Sequence, residues 1–198
     1  MNSNDEMTER GQKGRKTLLL ILGLFVLPIL VVLAMYQFSL RPGGASHGEL
    51  LSPPRPLHFA PMTTWQTKPF TDAGLHEKWS LLYIAPADCT EPCMAQIHMM
   101  RQIHAALGKE MGRVQRVMLV AENAKAAQID AVQRDYPDLI ILAKPETIMS
   151  QLGSSTQADG SMFLIDPLGN AMMHYAPTAN PNGIRKDLSH LLRYSWTG

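Results

Sequence analysis

From residue 79 onward the apolar positions change period several times, and each change marks an element. Residues 79–85 (WSLLYIA) form a short apolar run suited to a strand covered on both faces. Pro86, Ala87 and Asp88 interrupt it, and Ile97, Met100, Ile103, His104 and Leu107 then recur at three- and four-residue spacing, which predicts a helix over about 92–107. Residues 114–120 (VQRVMLV) predict the next strand, 124–134 a helix, 139–142 (LIIL) a strand, and 145–152 a short helix opened by Pro145. The period then shortens. Residues 161–166 (SMFLID) and 171–175 (AMMHY) flank Pro167-Leu-Gly-Asn170 and predict an antiparallel hairpin, while Leu188, Leu191 and Leu192 lie on one face of a last helix over 184–194. Strand–helix alternation closed by a hairpin and a helix predicts an α/β fold, a mixed sheet flanked by helices on both faces.

The pattern ahead of residue 79 is of another kind. Residues 17–38 (TLLLILGLFVLPILVVLAMYQF) contain no charge, and a helix of that length spans roughly 33 Å, enough for a bilayer core. Residues 1–16 hold seven of the charged side chains, with Arg10, Lys13, Arg15 and Lys16 next to the apolar run. Cationic flanks stay cytoplasmic, so the sequence predicts a cytoplasmic segment 1–16, one N-terminal transmembrane helix over 17–38, and everything after it outside the inner (cytoplasmic) membrane, in the periplasm. The run exceeds the apolar core of a cleaved signal peptide and no small-x-small site follows it, which favours an uncleaved anchor. Residues 39–69 carry nine of the prolines and glycines and read as a tether; 70–198 read as one domain, large enough to fold without a disulfide. With 18 basic and 17 acidic residues the net charge is +1, so nothing favours a nucleic-acid partner held through phosphates.

Both cysteines of the chain fall in Asp88-Cys-Thr-Glu-Pro-Cys-Met94, where the first strong strand hands over to its helix. A separation of four places Cys93 one helical turn beyond Cys89, within disulfide reach, so the two are either bridged or kept as a working dithiol. As a staple, a bridge closing about five residues contributes only about 2 kcal/mol, against nearly 5 for a loop of about 100. A helix N-terminus also favours thiolates through its unpaired N–H groups. Chemistry is the stronger reading of Cys89 and Cys93, although Asp88 and Glu91 beside them oppose thiolate formation.

The element order is that of a thioredoxin-like domain. The stretch 83–94 (YIAPADCTEPCM) and the downstream FLIDPLG of 163–169 resemble the Sco/SenC family of membrane-anchored, thioredoxin-like cytochrome c oxidase assembly proteins. The resemblance implies copper handling, as Cu(I) or Cu(II), with Cys89 and Cys93 as metal ligands and as the redox pair, and an oxidase subunit or copper chaperone as partner. Two soft thiolates suit Cu(I). The family's third ligand, a histidine shortly before the hairpin, is replaced here by Ala158, and Met94 stands where a proline usually follows the second cysteine. His174 is expected at the same edge of the sheet but two strands away, roughly 10 Å laterally. Met94 and His98 share a helix face as i,i+4 neighbours, and His47 and His58 read as solvated tether residues. Met99, Met100, Met118, Met162 and Met172 read mostly as flexible core filler. Two other functions fit the same residues: a general periplasmic thiol–disulfide oxidoreductase, and a non-catalytic membrane-bound scaffold.

Overall fold

The structure is a computed structural model and describes residues 3–37, 46–153 and 159–195. The chain forms two units, residues 1–44 and 45–198. Among its described residues the first holds one helix, α1 (Ser3–Gln37), with Pro28 inside it. Side chains are described continuously only over 20–35, sixteen residues or about 24 Å of helix, and Leu20, Leu24, Phe25, Leu27 and Ile29 are exposed there. Among the described residues no helix is long and apolar enough to cross a membrane. The side chains of residues 17–19 and 36, and residue 38 altogether, belong to the expected anchor and lie outside the described residues.

The second unit is built on a six-stranded mixed sheet in the order β1-β8-β7-β4-β5-β6. The strands are β1 (Glu49–Pro56), β4 (Trp79–Ile84), β5 (Val114–Val120), β6 (Ile140–Ala143), β7 (Met162–Ile165) and β8 (Asn170–Tyr175); β2 (Met62–Thr63) and β3 (Pro69–Phe70) make a separate hairpin. β4, β5 and β6 run parallel, and β7 returns antiparallel beside β4. All six residues of β4 are buried, because the strand is central and both of its faces are covered. On one face α2 (Glu91–Ala105), α3 (Ala126–Asp135) and α5 (Pro181–Tyr194) pack Ile97, Met100, Ile129, Val132, Ile184 and Leu188 against Leu81, Tyr83 and Met118. On the other face α4 (Glu146–Leu152) and residues 57–75 bring Ile148, Leu152, Leu57, Phe59 and Leu75 against Leu82, Ile84 and Leu119. Met100, Met118 and Met162 are buried in this core, and Met99 and Met172 pack at its margin, as filler would.

The tether expected over 39–69 is corrected. Residues 39–45 lie outside the described residues, but β1 pairs antiparallel with β8 from Glu49 opposite His174 to Pro56 opposite Asn170, with the register shifting between Leu50 and Arg55. Leu51, Leu57 and Phe59 are 5%, 3% and 3% exposed, so this segment completes the core. Its prolines are compatible with a strand because β1 is an edge: the missing N–H groups interrupt no inner ladder, and such residues protect the edge from further pairing. His47 is correspondingly not a free tether residue. Its backbone N–H and that of Gly48 donate to Asp187 Oδ2 at 2.8 and 3.0 Å, and its Nδ1 lies 3.0 Å from Asp187 Oδ1. The buried Asp187 also accepts from Tyr175 Oη at 3.1 Å, fastening the start of the domain to α5 and β8. His58 stays exposed, 3.5 Å from Asp72.

Candidate functional site: a disulfide at the head of α2

Parallel strands deliver their following loops to one end of the sheet, and the cysteines stand at that end. β4 stops at Ile84, and Ala85 N–H still bonds Leu119 O of β5 at 2.9 Å. The chain then turns through Pro86 to Thr90, and α2 begins at Glu91 with Pro92 in its first turn, where a missing N–H costs nothing. Cys89 and Cys93 are joined, with S–S 2.01 Å and Cα–Cα 5.0 Å. Both are buried, Cys89 at 5% exposure slightly less so than Cys93 at 2%. The Thr90 side chain makes no cap bond, so the first N–H groups of α2 have no side-chain acceptor from that position.

Two residues from the next crossover also reach the loop. Gln128 Oε1 accepts the Cys89 N–H at 3.2 Å, and Lys125 Nζ lies 2.7 Å from Asp88 Oδ1. Neither stood out in the sequence. The signal for them was positional, since the start of the helix after β5 must abut the start of the helix after β4. Tyr83, near the end of β4, has its phenol pushed up from 10.0 to about 12 by burial first and by the Asp159 carboxylate second. Asp159 is itself paired with Lys144 at 3.0 Å. Alongside α2 runs an open groove of about 610 Å³ lined by Glu91, Pro92, Met94, Ala95, His98 and Tyr136, so Met94 and His98 do share a face.

His174 reaches the expected end of the sheet two strands from β4, and is occupied there: its Nε2 lies 3.3 Å from Ser161 Oγ, its Nδ1 3.4 Å from Glu49 Oε2, and its ring 5.0 Å from that of Phe163. His98 Nε2 contacts Gln102 at 3.0 Å. Ala158 lies outside the described residues. Among the described residues no group of three or more His, Cys, Asp or Glu side chains converges on one point. The 163–169 segment turns at the opposite pole, beside the start of β4 where Ser80 pairs Ile165; Asp166 Oδ1 accepts from the Leu168 and Asn170 N–H groups, and Gly169 takes φ +85°. That signature serves the turn.

A family model described as the transmembrane-like, thioredoxin-like, C-terminal domain matches residues 79–195, the span from β4 through α5 that carries the cysteine loop. The chain belongs to this family. No curated protein matches it in sequence. Solved structures match it in fold. Yeast Sco1 with copper bound superposes with a TM-score of 0.57 at 16% identity, covering 77% of this chain and 96% of the other. Arabidopsis thaliana ScoI with copper bound gives 0.56 at 18% identity, covering 71% and 98%. A DsbF homologue from Corynebacterium diphtheriae gives 0.56 at 14% identity, covering 76% and 96%. This member of the family is therefore a thioredoxin-like mixed sheet flanked by helices, structurally similar to Sco/SenC proteins, with its only two cysteines bridged at the head of α2.

Proposed function

We propose that the chain is a membrane-tethered thiol–disulfide protein acting in the periplasm, in maturation of the copper centre of cytochrome c oxidase, with Cys89–Cys93 as its working pair. The observation that carries the reading is the bridge itself, closing one turn at a helix N-terminus of a thioredoxin-like domain. In the reduced protein the thiolate of Cys89, the slightly less buried residue of the pair, attacks a partner's disulfide; that bond breaks, one partner sulfur leaves as thiolate, and a mixed disulfide forms. Cys93 then attacks the mixed disulfide, re-forming the Cys89–Cys93 bond and releasing the second partner thiol. Two electrons pass to the partner, and a dithiol reductant outside the cytoplasm returns them.

Copper in this reading is cargo. The reduced sulfurs are the right donors for Cu(I), and the copper-bound state of two structural neighbours supports this reading. The absence of a third convergent donor among the described residues favours electron exchange over lasting retention. The uncharged run 17–38 and its basic flank support the anchor and its orientation. The likeness to a DsbF homologue favours, as second reading, a general thiol–disulfide oxidoreductase.

The test is a trap. Cys93→Ser in the full-length protein removes the resolving sulfur, and a covalent, reductant-sensitive adduct with an oxidase subunit or copper chaperone is expected. Adducts spread over unrelated proteins select the general oxidoreductase. No adduct, with normal oxidase activity in the Cys89→Ser/Cys93→Ser strain, overturns a chemical role and leaves the scaffold.

A further inference from the structure

We infer that the outer face of α5 docks onto anionic phospholipid headgroups of the bilayer that holds the anchor, through Arg185, Lys186 and Arg193. The inference rests on the membrane anchor of the proposed reading and is independent of the cysteine chemistry.

The outer side of α5 is cationic. Ile184, Asp187, Leu188 and Leu192 are buried, while Lys186, His190 and Arg193 are exposed and Arg185 is half-buried beside them. Positions 186, 190 and 193 follow at four- and three-residue spacing and so form one stripe. The helix has a single carboxylate, Asp187, which is buried and engaged by His47, Gly48 and Tyr175. Among the described residues no carboxylate pairs with Arg185, Lys186 or Arg193. The outer side of α3 differs, since exposed Arg134 is accompanied there by exposed Asp130 and Asp135. From Arg185 to Arg193 the stripe extends about 12 Å along the helix, an array that suits a plane of phosphates better than one compact anion. Tyr194, 67% exposed with its ring 4.9 Å from that of His190, adds a side chain favoured at headgroup level.

The path of the chain brings this face to the lipid. His47 seats on the start of α5: its N–H and Nδ1 meet Asp187, and a Cβ at Gly183 would fall 2.6 Å from the His47 Cβ. Between Phe38, the end of the uncharged run, and His47 lie eight residues, which span at most roughly 30 Å even when fully extended. An anchored chain therefore keeps the start of α5 within that distance of the headgroups, at a high effective concentration of lipid. Each Lys or Arg near an anionic surface strengthens the attraction, and the attraction decays within a Debye length of about 10 Å.

The experiment places the full-length protein in phosphatidylcholine nanodiscs with and without phosphatidylglycerol. Acylation of Lys186 by a water-soluble succinimidyl ester is followed by mass spectrometry, with exposed Lys68, in the segment that covers the other face of the sheet, as internal reference. Phosphatidylglycerol is expected to slow Lys186 about tenfold and Lys68 less than about twofold, and high salt to restore the Lys186 rate. Arg185→Gln/Arg193→Gln, which leaves Lys186 as reporter, is expected to lose most of the slowing with an unchanged circular dichroism spectrum. Equal Lys186 rates in the two lipids, equal slowing of Lys186 and Lys68, or slowing that persists in high salt overturns the inference. Protection found only in whole cell envelopes, and not in the discs, assigns the face to an acidic protein and overturns it as well. A chain that does not enter the discs sinks the anchor and the inference together, whereas a failed cysteine trap leaves both standing.

Discussion

Arg116 of β5 is an instance of a buried charge whose removal and whose abandonment have opposite consequences. Its side chain is 1% exposed, and Nη2 lies 2.6 Å from Asp138 Oδ2, while Nε and Nη1 have no protein acceptor among the described residues. Each stranded N–H costs about 1–3 kcal/mol relative to a solvated one. The compensating attraction is weakened because the Asp138 side chain is 61% exposed and its charge is screened by water. Arg116→Met removes the charge and the stranded donors while keeping much of the volume, so its unfolding free energy is expected to be unchanged or higher by up to about 3 kcal/mol. Asp138→Ala leaves the guanidinium inside without a counter-charge and is expected to cost about 2–4 kcal/mol, whereas Arg116→Met/Asp138→Ala should resemble Arg116→Met. Urea unfolding of the full chain in mild detergent, read from midpoints at constant slope, measures all three.

Acid adds a second signature to the same pair. Burial acting alone would raise the Asp138 carboxyl, but the hydrogen bond and charge of Arg116 outweigh it and hold it below the usual carboxylate value, with its own backbone N–H and His104 adding to the effect. A lowered folded value means that the stabilisation is fully present above the ordinary carboxylate pKa and is lost as pH falls through the folded one. The gap between parent and Arg116→Met should therefore shift further in favour of the variant in strong acid. A loss above about 2 kcal/mol in Arg116→Met, with less than about 1 in Asp138→Ala, would refute the reasoning.

Three further outcomes are expected. Phe59→Ala and Leu51→Ala should destabilise the domain by about 3–5 and 2–4 kcal/mol, whereas substitutions in a true tether cost almost nothing; urea midpoints distinguish the cases. Asp187→Ala should cost about 2–4 kcal/mol and lower Tm by roughly 5–12 °C, because it strands the buried Tyr175 hydroxyl and two backbone N–H groups, while Tyr175→Phe should cost only about 1. Tyr83, with its phenol moved from 10.0 to about 12, contributes stability that is complete below the ordinary value and is lost as pH rises through the folded one. Tyr83→Phe should therefore flatten the alkaline fall by about 2–3 kcal/mol between those limits, as followed by circular dichroism against pH.

The sheet from β4 onward was legible because its elements carry unbroken periods: a continuous apolar run for the central strand, three- and four-residue spacing for α2, and a turn composition at Pro167-Leu-Gly-Asn170. β1 was not, since three of its eight residues are proline, and that composition outweighed the apolar Leu50-Leu51 and the buried Leu57 and Phe59 that follow. Only the edge position makes such a strand possible, and an edge is a property of the assembled sheet. The cysteines were legible from spacing and context. Lys125 and Gln128 were not, because their contact with the cysteine loop arises from the adjacency of β4 and β5 and leaves no local motif. Asp187 likewise looks like an ordinary helix carboxylate until α5 packs and His47, Gly48 and Tyr175 converge on it.

The most direct test of a working cysteine pair is its redox state in living cells: acid quenching, alkylation with a mass-adding maleimide, and separation of the full-length protein by size. Coexisting reduced and oxidised forms are expected, shifting toward the oxidised form when oxidase assembly is induced, with Cys93→Ser accumulating as mixed disulfide. A protein found wholly oxidised under every growth condition, whose loss of both sulfurs changes only its thermal stability, would contradict the account.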